Sequence, residues 1–143
     1  MLSRRAKYAL KAMICLAQAT DAAHLSVTDI AERANVPRAF LEQILSDLKR
    51  RNLLVSRRGK QGGFLLAGKP EDISFAEIIR HIDGPLALAP CASRTAYRPC
   101  PECRDVRTCE LRQTLILVRD ASADILENTT LASARPVSKR RRS

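Results

Sequence analysis

Four of the five cysteines in this 143-residue chain fall within nineteen positions. They are Cys91, Cys100, Cys103 and Cys109, with eight, two and five residues between them, in a stretch that also holds Pro90, Pro99 and Pro101. A free cysteine ordinarily behaves as a small buried hydrophobe scattered through helices and strands. Four in one proline-bearing loop serve chemistry instead. Thiolates this close bind a metal ion or an inorganic cluster, or they undergo redox reactions. Cys15, isolated upstream in a helical pattern, reads as core.

No other constellation competes. There is no Ser/His/Asp arrangement, no paired carboxylates and no glycine-rich phosphate loop ahead of a helix. His24 and His81 stand alone and read as surface or packing residues. Neither an enzyme nor a small-molecule substrate is expected. The longest apolar runs are a few residues, so no membrane span is expected, and Met1 to Lys11 lacks the apolar segment of a secretion signal. The expected compartment is the cytoplasm, where thiols stay reduced and five cysteines argue against a disulfide framework.

Charge separates the chain into parts. Residues 1–69 carry thirteen Lys/Arg against five Asp/Glu, residues 70–134 carry seven against ten, and the last nine residues add five cations with no acid. A basic first half within a net charge of +10 points to nucleic acid. With three Phe, two Tyr and no Trp, base stacking on aromatic platforms is excluded as the main mode of binding.

Elements that would position these groups follow from periodicity. Ser3 caps a first helix with Ala6, Ala9, Leu10, Met13, Ile14 and Ala17 on its apolar face. Ser26 and Asp29 form a capping box for a short second helix that ends at Asn35-Val36-Pro37. Pro37 opens a third helix with Phe40, Leu41, Ile44, Leu45 and Leu48 on one stripe and Arg38, Glu42, Gln43, Lys49 and Arg50 opposite. Two helices joined by so short a turn predict a helix-turn-helix. Two β-prone runs then flank Gly59, Gly62 and Gly63, with Arg57, Arg58 and Lys60 at the tip, the pattern of a cationic β-hairpin wing. Ser74 and Glu77 predict a second capping box and a helix ended by Gly84-Pro85. After the cysteine stretch, Leu111, Leu115, Val118, Ile125 and Leu126 mark a long amphipathic helix suited to dimerisation.

The fold class is therefore mainly α, a winged helix-turn-helix with a long C-terminal dimerisation helix. Expected boundaries are 1–84 for the DNA-binding domain, 85–108 for the cysteine loop, 109–131 for the dimerisation helix and 132–143 for a disordered basic tail.

Three blocks carry a resemblance: Leu2 to Met13, Pro37 to Ile44 with its Leu41-Glu42-Gln43, and the glycine-rich wing from Arg58 to Leu66. Over residues 1–131 the chain resembles the Rrf-two family of bacterial winged-helix regulators, of the IscR, NsrR and RirA type. The resemblance implies a homodimer on a palindromic double-stranded DNA operator, acting as a transcription regulator and repressor. It places the helix from Pro37 in the major groove and the wing toward the minor groove. The DNA-contacting set is then Thr28, Pro37, Arg38, Ala39, Glu42, Gln43, Arg57, Arg58, Lys60, Gln61 and Gly62. It also implies an iron–sulfur cluster (2Fe–2S or 4Fe–4S) on Cys91, Cys103 and Cys109. Lys7 stands where some members place a carboxylate of the partner subunit, and Arg112 where others place a histidine. Neither serves as a ligand here, and Cys100 is the additional thiolate that would complete four. The cysteine spacing by itself leaves a structural zinc site and a metal-free thiol switch, or control by a partner protein, open beside the cluster.

Overall fold

Serine hydroxyls start three of the helices. In the computed structural model, which describes residues 1–19, 24–60 and 62–134, Ser3 accepts from the Ala6 N–H at 2.9 Å and opens α1 (Arg4–Gln18). Ser26 and Asp29 complete the expected capping box of α2 (Val27–Ala34), at 3.1 and 3.2 Å. Ser74 accepts from the Glu77 N–H at 3.1 Å at the start of α4 (Phe75–Asp83). There only the serine half of the expected box forms, since Glu77 lies 3.9 Å from His81 instead. Ser3 also bonds through its hydroxyl and its N–H to the Asp83 carboxylate, which ties the start of α1 to the end of α4.

Asn35, in the left-handed conformation at φ 52°, ends α2, and Pro37 caps α3 (Arg38–Arg50) one position before its first turn. Asn52, also at positive φ, turns the chain into an antiparallel hairpin of β1 (Leu54–Arg57) and β2 (Gly63–Leu66), with Leu54 opposite Leu66 and Arg57 opposite Gly63. The winged helix-turn-helix is thus present. Leu25 and Phe64 exchange backbone hydrogen bonds of 3.0 and 2.8 Å, which lock the wing to the segment ahead of α2. Glycine is required at 63 because a Cβ there would lie 2.3 Å from the Leu25 carbonyl oxygen. At Gly62 it would lie 2.3 Å from that of Arg57.

The core sits among α1 to α4. Met13, Ile30, Leu41, Ile44, Leu45, Leu48 and Ile78 are fully buried in it, each contributing roughly 1.5–3 kcal/mol of transfer free energy. Cys15 packs against this core as expected, and burial raises its thiol pKa. Phe40 departs from its expected stripe and is 53% exposed, with its ring 5.9 Å from that of Tyr8. At 100° per residue it lies about 90° from the centre of the buried face, at its margin.

The last helix, α5 (Glu110–Asn128), starts at Cys109. Beyond it the chain folds back: Thr130 bridges Ser74, and Leu131 is buried in the core. Residues 132–134, assigned above to the tail, instead form a turn whose amides bond to the carbonyls of Thr130 and Pro70. The remaining basic tail lies outside the described residues.

Candidate functional site

The cap and first two turns of α3 present Pro37, Arg38, Ala39, Glu42 and Gln43 to solvent, and Thr28 is exposed on α2. Arg38 and Glu42 pair at 3.5 Å along the helix, while Gln43 donates to Asp47 at 3.2 Å. Arg57, Arg58 and Lys60 stand exposed at the wing, and Gly62 donates to Gly59 at 2.9 Å across its tip. Gln61 lies outside the described residues. The Leu25–Phe64 pairing joins the base of the wing to the segment ahead of α2. Sequence reasoning missed Asp47 and Arg5. These pair with each other from α3 and α1, and only the tertiary packing of those helices brings them together.

All four cysteines of the loop line one pocket of about 360 Å³, whose other walls include Ala89, Val106, Leu111 and Leu115. All are free thiols. Cys109 is the cap of α5, its sulfur accepting from the Arg112 N–H at 3.4 Å. Cys100 donates to Glu102 at 3.5 Å and its carbonyl accepts from the Cys103 N–H at 3.0 Å. Partial burial, then the neighbouring Cys109, Cys100 and Cys91, pushes the Cys103 thiol pKa up.

Arg112 holds no ligand position. Its Nε donates to the Cys91 carbonyl at 2.8 Å, and its guanidinium carbon lies 6.0 Å above the Tyr97 ring. Arg119 similarly donates to the Ala92 carbonyl. Two arginines on α5 therefore strap the Pro90–Ala92 turn to the helix, a role the sequence signalled only as cations in the first turns after the loop. Lys7 is exposed on α1.

The donor chemistry suits an iron–sulfur cluster: thiolates only, with apolar walls that limit hydrolysis and tune potential. A single tetrahedral zinc would need sulfurs roughly 3.8 Å apart, from a Zn–S length of about 2.3 Å. Among the described residues no three His, Cys, Asp or Glu side chains stand together closely enough to hold one ion.

No residue of α5 is fully buried. Leu115 and Leu126 turn toward the pocket and the core, whereas Leu111, Leu117, Val118 and Ile125 are exposed, at 69%, 70%, 40% and 66%. Among the described residues no helix is long and apolar enough to cross a membrane.

Residues 2–134 match the Rrf2 family, described as an iron-dependent transcriptional regulator. An Rrf2-like helix-turn-helix transcriptional regulator of Rhodobacter capsulatus is 39% identical over 134 residues, covering 92% of this chain and 89% of that protein. The structure of CymR, the global cysteine regulator of Bacillus subtilis, is 29% identical and superposes with a TM-score of 0.76, covering 93% of this chain and 94% of the other. That of IscR from T. potens is 28% identical with a TM-score of 0.73, covering 93% and 84%. These relatives are transcription regulators rather than enzymes, and with its winged helix-turn-helix matched from end to end the chain belongs to the Rrf2 family of DNA-binding transcription regulators.

Proposed function

We propose that this regulator is a repressor that binds a palindromic operator as a homodimer and senses iron, redox state or nitric oxide through an iron–sulfur cluster. The ligands are Cys91, Cys100, Cys103 and Cys109, and the observation that carries the assignment is their convergence on one apolar-walled pocket. When bound, the cluster supplies a centre that changes charge or is lost on oxidation, iron limitation or reaction with nitric oxide. The chain's own residues do the rest. Cys109 begins α5 and Arg112 ties Cys91 to it, so the state of the pocket acts on the start of that helix. The exposed face of α5 pairs with a second copy, and its placement sets the spacing of the two heads over the operator.

In this reading residues 1–84 hold DNA, 85–108 hold the cluster and 109–131 pair the subunits. The first two turns of α3 lie in the major groove, with Arg38, Glu42 and Gln43 toward base edges and Thr28, Pro37 and Ala39 near the backbone. Arg57, Arg58, Lys60, Gln61 and Gly62 of the wing lie toward the minor groove. Glu42→Ala should relax base preference more than it lowers affinity, because a carboxylate accepts from cytosine N4 and repels other base edges.

Anaerobic purification with a visible spectrum and iron and sulfide assay tests the assignment. Brown protein with both elements is the expected result, with the absorbance lost in Ser variants of Cys91, Cys103 and Cys109. Loss at those three with retention in Cys100→Ser would mean a different fourth ligand. Wild-type spectra in all of them would overturn the pocket as the site.

A second reading is favoured by one observation, the likeness to CymR, described as a global cysteine regulator. Here the thiols act without a cluster, as a redox switch or under a partner protein. Colourless protein without iron would select it, and colourless protein with one zinc per chain would select a structural zinc site.

A further inference from the structure

Asp47 lies one turn beyond Gln43 on α3 and is the acceptor for its side-chain amide, at 3.2 Å. A carboxylate can only accept, so it dictates which end of the amide faces it: the NH2 group, with the carbonyl oxygen turned away. One N–H is thereby used. The other N–H and the oxygen remain together on the outer edge of an exposed side chain. That edge is the donor–acceptor pair which matches the N7 acceptor and N6 donor of adenine in the major groove. A flipped amide would present its NH2 where the oxygen had been, which suits the O6 acceptor of guanine, and would set its oxygen against the carboxylate.

A carboxylate on a DNA-facing helix should repel phosphates, yet this one is countered on both sides. Arg5 of α1 pairs with one oxygen, and Arg50 lies 3.5 Å from the other. Asp47 is only partly exposed, held between α1 and α3, whereas Gln43 is open to solvent. The fixed member of the pair is therefore the one that does not reach the bases.

We infer that Asp47 is a positioning residue for specificity: braced by Arg5 of α1, it sets the orientation of the Gln43 amide and makes that position of the operator adenine rather than guanine. The inference rests on the proposed placement of α3 in the major groove.

The test selects binding sites from a randomised duplex library with the full chain, for wild type, Gln43→Ala, Asp47→Asn, Asp47→Ala and Gln43→Ala/Asp47→Asn. Thermal melts confirm that each is folded. The position whose preference disappears in Gln43→Ala is then assayed with adenine and with guanine. Wild type should prefer adenine roughly tenfold or more, the range of one good bidentate pair. Asp47→Asn keeps the size of the side chain but accepts either amide orientation, and should reduce the preference to within about twofold, since half the amides then present the wrong edge. Asp47→Ala should behave alike, and Asp47→Asn should change nothing further in the Gln43→Ala background. Adenine preference retained in both Asp47 variants, but lost in Gln43→Ala, overturns the inference and leaves the groove placement standing. Unchanged preferences throughout in Gln43→Ala overturn both.

Discussion

The head and the C-terminal helix are built on opposite principles. Helices α1 to α4 bury a continuous apolar core and have serine or proline caps, with no unpartnered buried side-chain polar atom among the described residues. Helix α5 is nineteen residues long and buries none of them fully. Its attachments are few: Leu126 packs against the core, Arg80 and Glu127 pair at 2.6 Å, and two arginines strap it to the cysteine loop. A helix held so lightly gets little stability from its own subunit, because short helices depend on packing an apolar face. The head has its own core, while the apolar face of α5 awaits something else.

The largest effect should come from putting a charge on that face. Leu111, Val118 and Ile125 recur every seven residues with Thr114 and Ala121 between them, the spacing of a two-helix seam. Val118→Asp leaves an uncompensated charge there. Sedimentation should then show monomers and palindrome binding should disappear. Leu115→Asp is a poorer probe, since Leu115 lines the thiol pocket and its loss would confound pairing with cofactor retention. A dimeric Val118→Asp protein would remove α5 from the interface.

Core truncation sharpens the same contrast from the other side. Ile44→Ala in the head should lower unfolding free energy by about 2–5 kcal/mol, the range for a buried aliphatic cavity. Leu117→Ala on α5 removes a similar side chain that is mostly exposed in the subunit, and should stay within about 0.5 kcal/mol at concentrations where the protein is monomeric. Urea unfolding of the two variants gives the comparison directly, and equal losses would mean that α5 is folded into the head after all.

The same division decided what could be read from residues alone. Caps and the turn at Asn35 are local, and each was legible because backbone chemistry within three or four residues determines it, whereas Gly63 is required by the distant Leu25 carbonyl. Phe40 was misplaced because the stripe was counted without its angular margin. The turn at residues 132–134 was missed because it forms against Pro70 and Thr130, distant in sequence from any periodic signal. Cysteine count and spacing announced the pocket. That Arg112 and Arg119 fasten one end of it to α5 depends on a fold-back of about twenty residues, which no local rule encodes. The loop is consequently in two parts. Pro90–Ala92 is held to α5 by these arginines, so ordering on cluster binding should be greatest over about residues 99–108, visible as hydrogen-exchange protection gained on reconstitution.

A smaller effect is expected at the wing. Arg57, Arg58 and Lys60 are exposed and make no ion pair among the described residues. Replacing all three with Ala should leave stability unchanged and weaken binding to every duplex alike. On a slope of about −0.9 per phosphate neutralised, the dependence of log affinity on log salt should flatten by up to ~3 per subunit. An unaltered slope would take the wing out of the interface and leave the head with α3 alone.

The smallest effects are titrations, and they too separate the two regions. In the head, the Ser26 hydroxyl and then its backbone N–H hold the Asp29 carboxyl below its ordinary pKa. On α5, the hydrogen bond from Arg119 does the same for Asp120, aided by Arg94. Both groups are ionised more readily folded than unfolded, so each contribution is complete above the unfolded carboxylate pKa of about 3.9 and is lost as pH falls through the lower folded value. Protonating Asp29 undoes half of the box that starts α2. Urea midpoints should therefore fall below pH 4 in wild type and fall less in Asp29→Asn, which has no proton left to take up. Ser26→Ala, which removes the cap itself, should cost about 1 kcal/mol at neutral pH. Protonating Asp120 loosens its contact with Arg94, which joins the loop to α5, and its contact with Arg119 within α5. Its signature should be faster amide exchange around Pro90–Ala92 at acid pH, with the urea midpoint of Asp120→Asn following wild type. A midpoint that moved with Asp120 instead would show the loop and α5 unfolding together with the head.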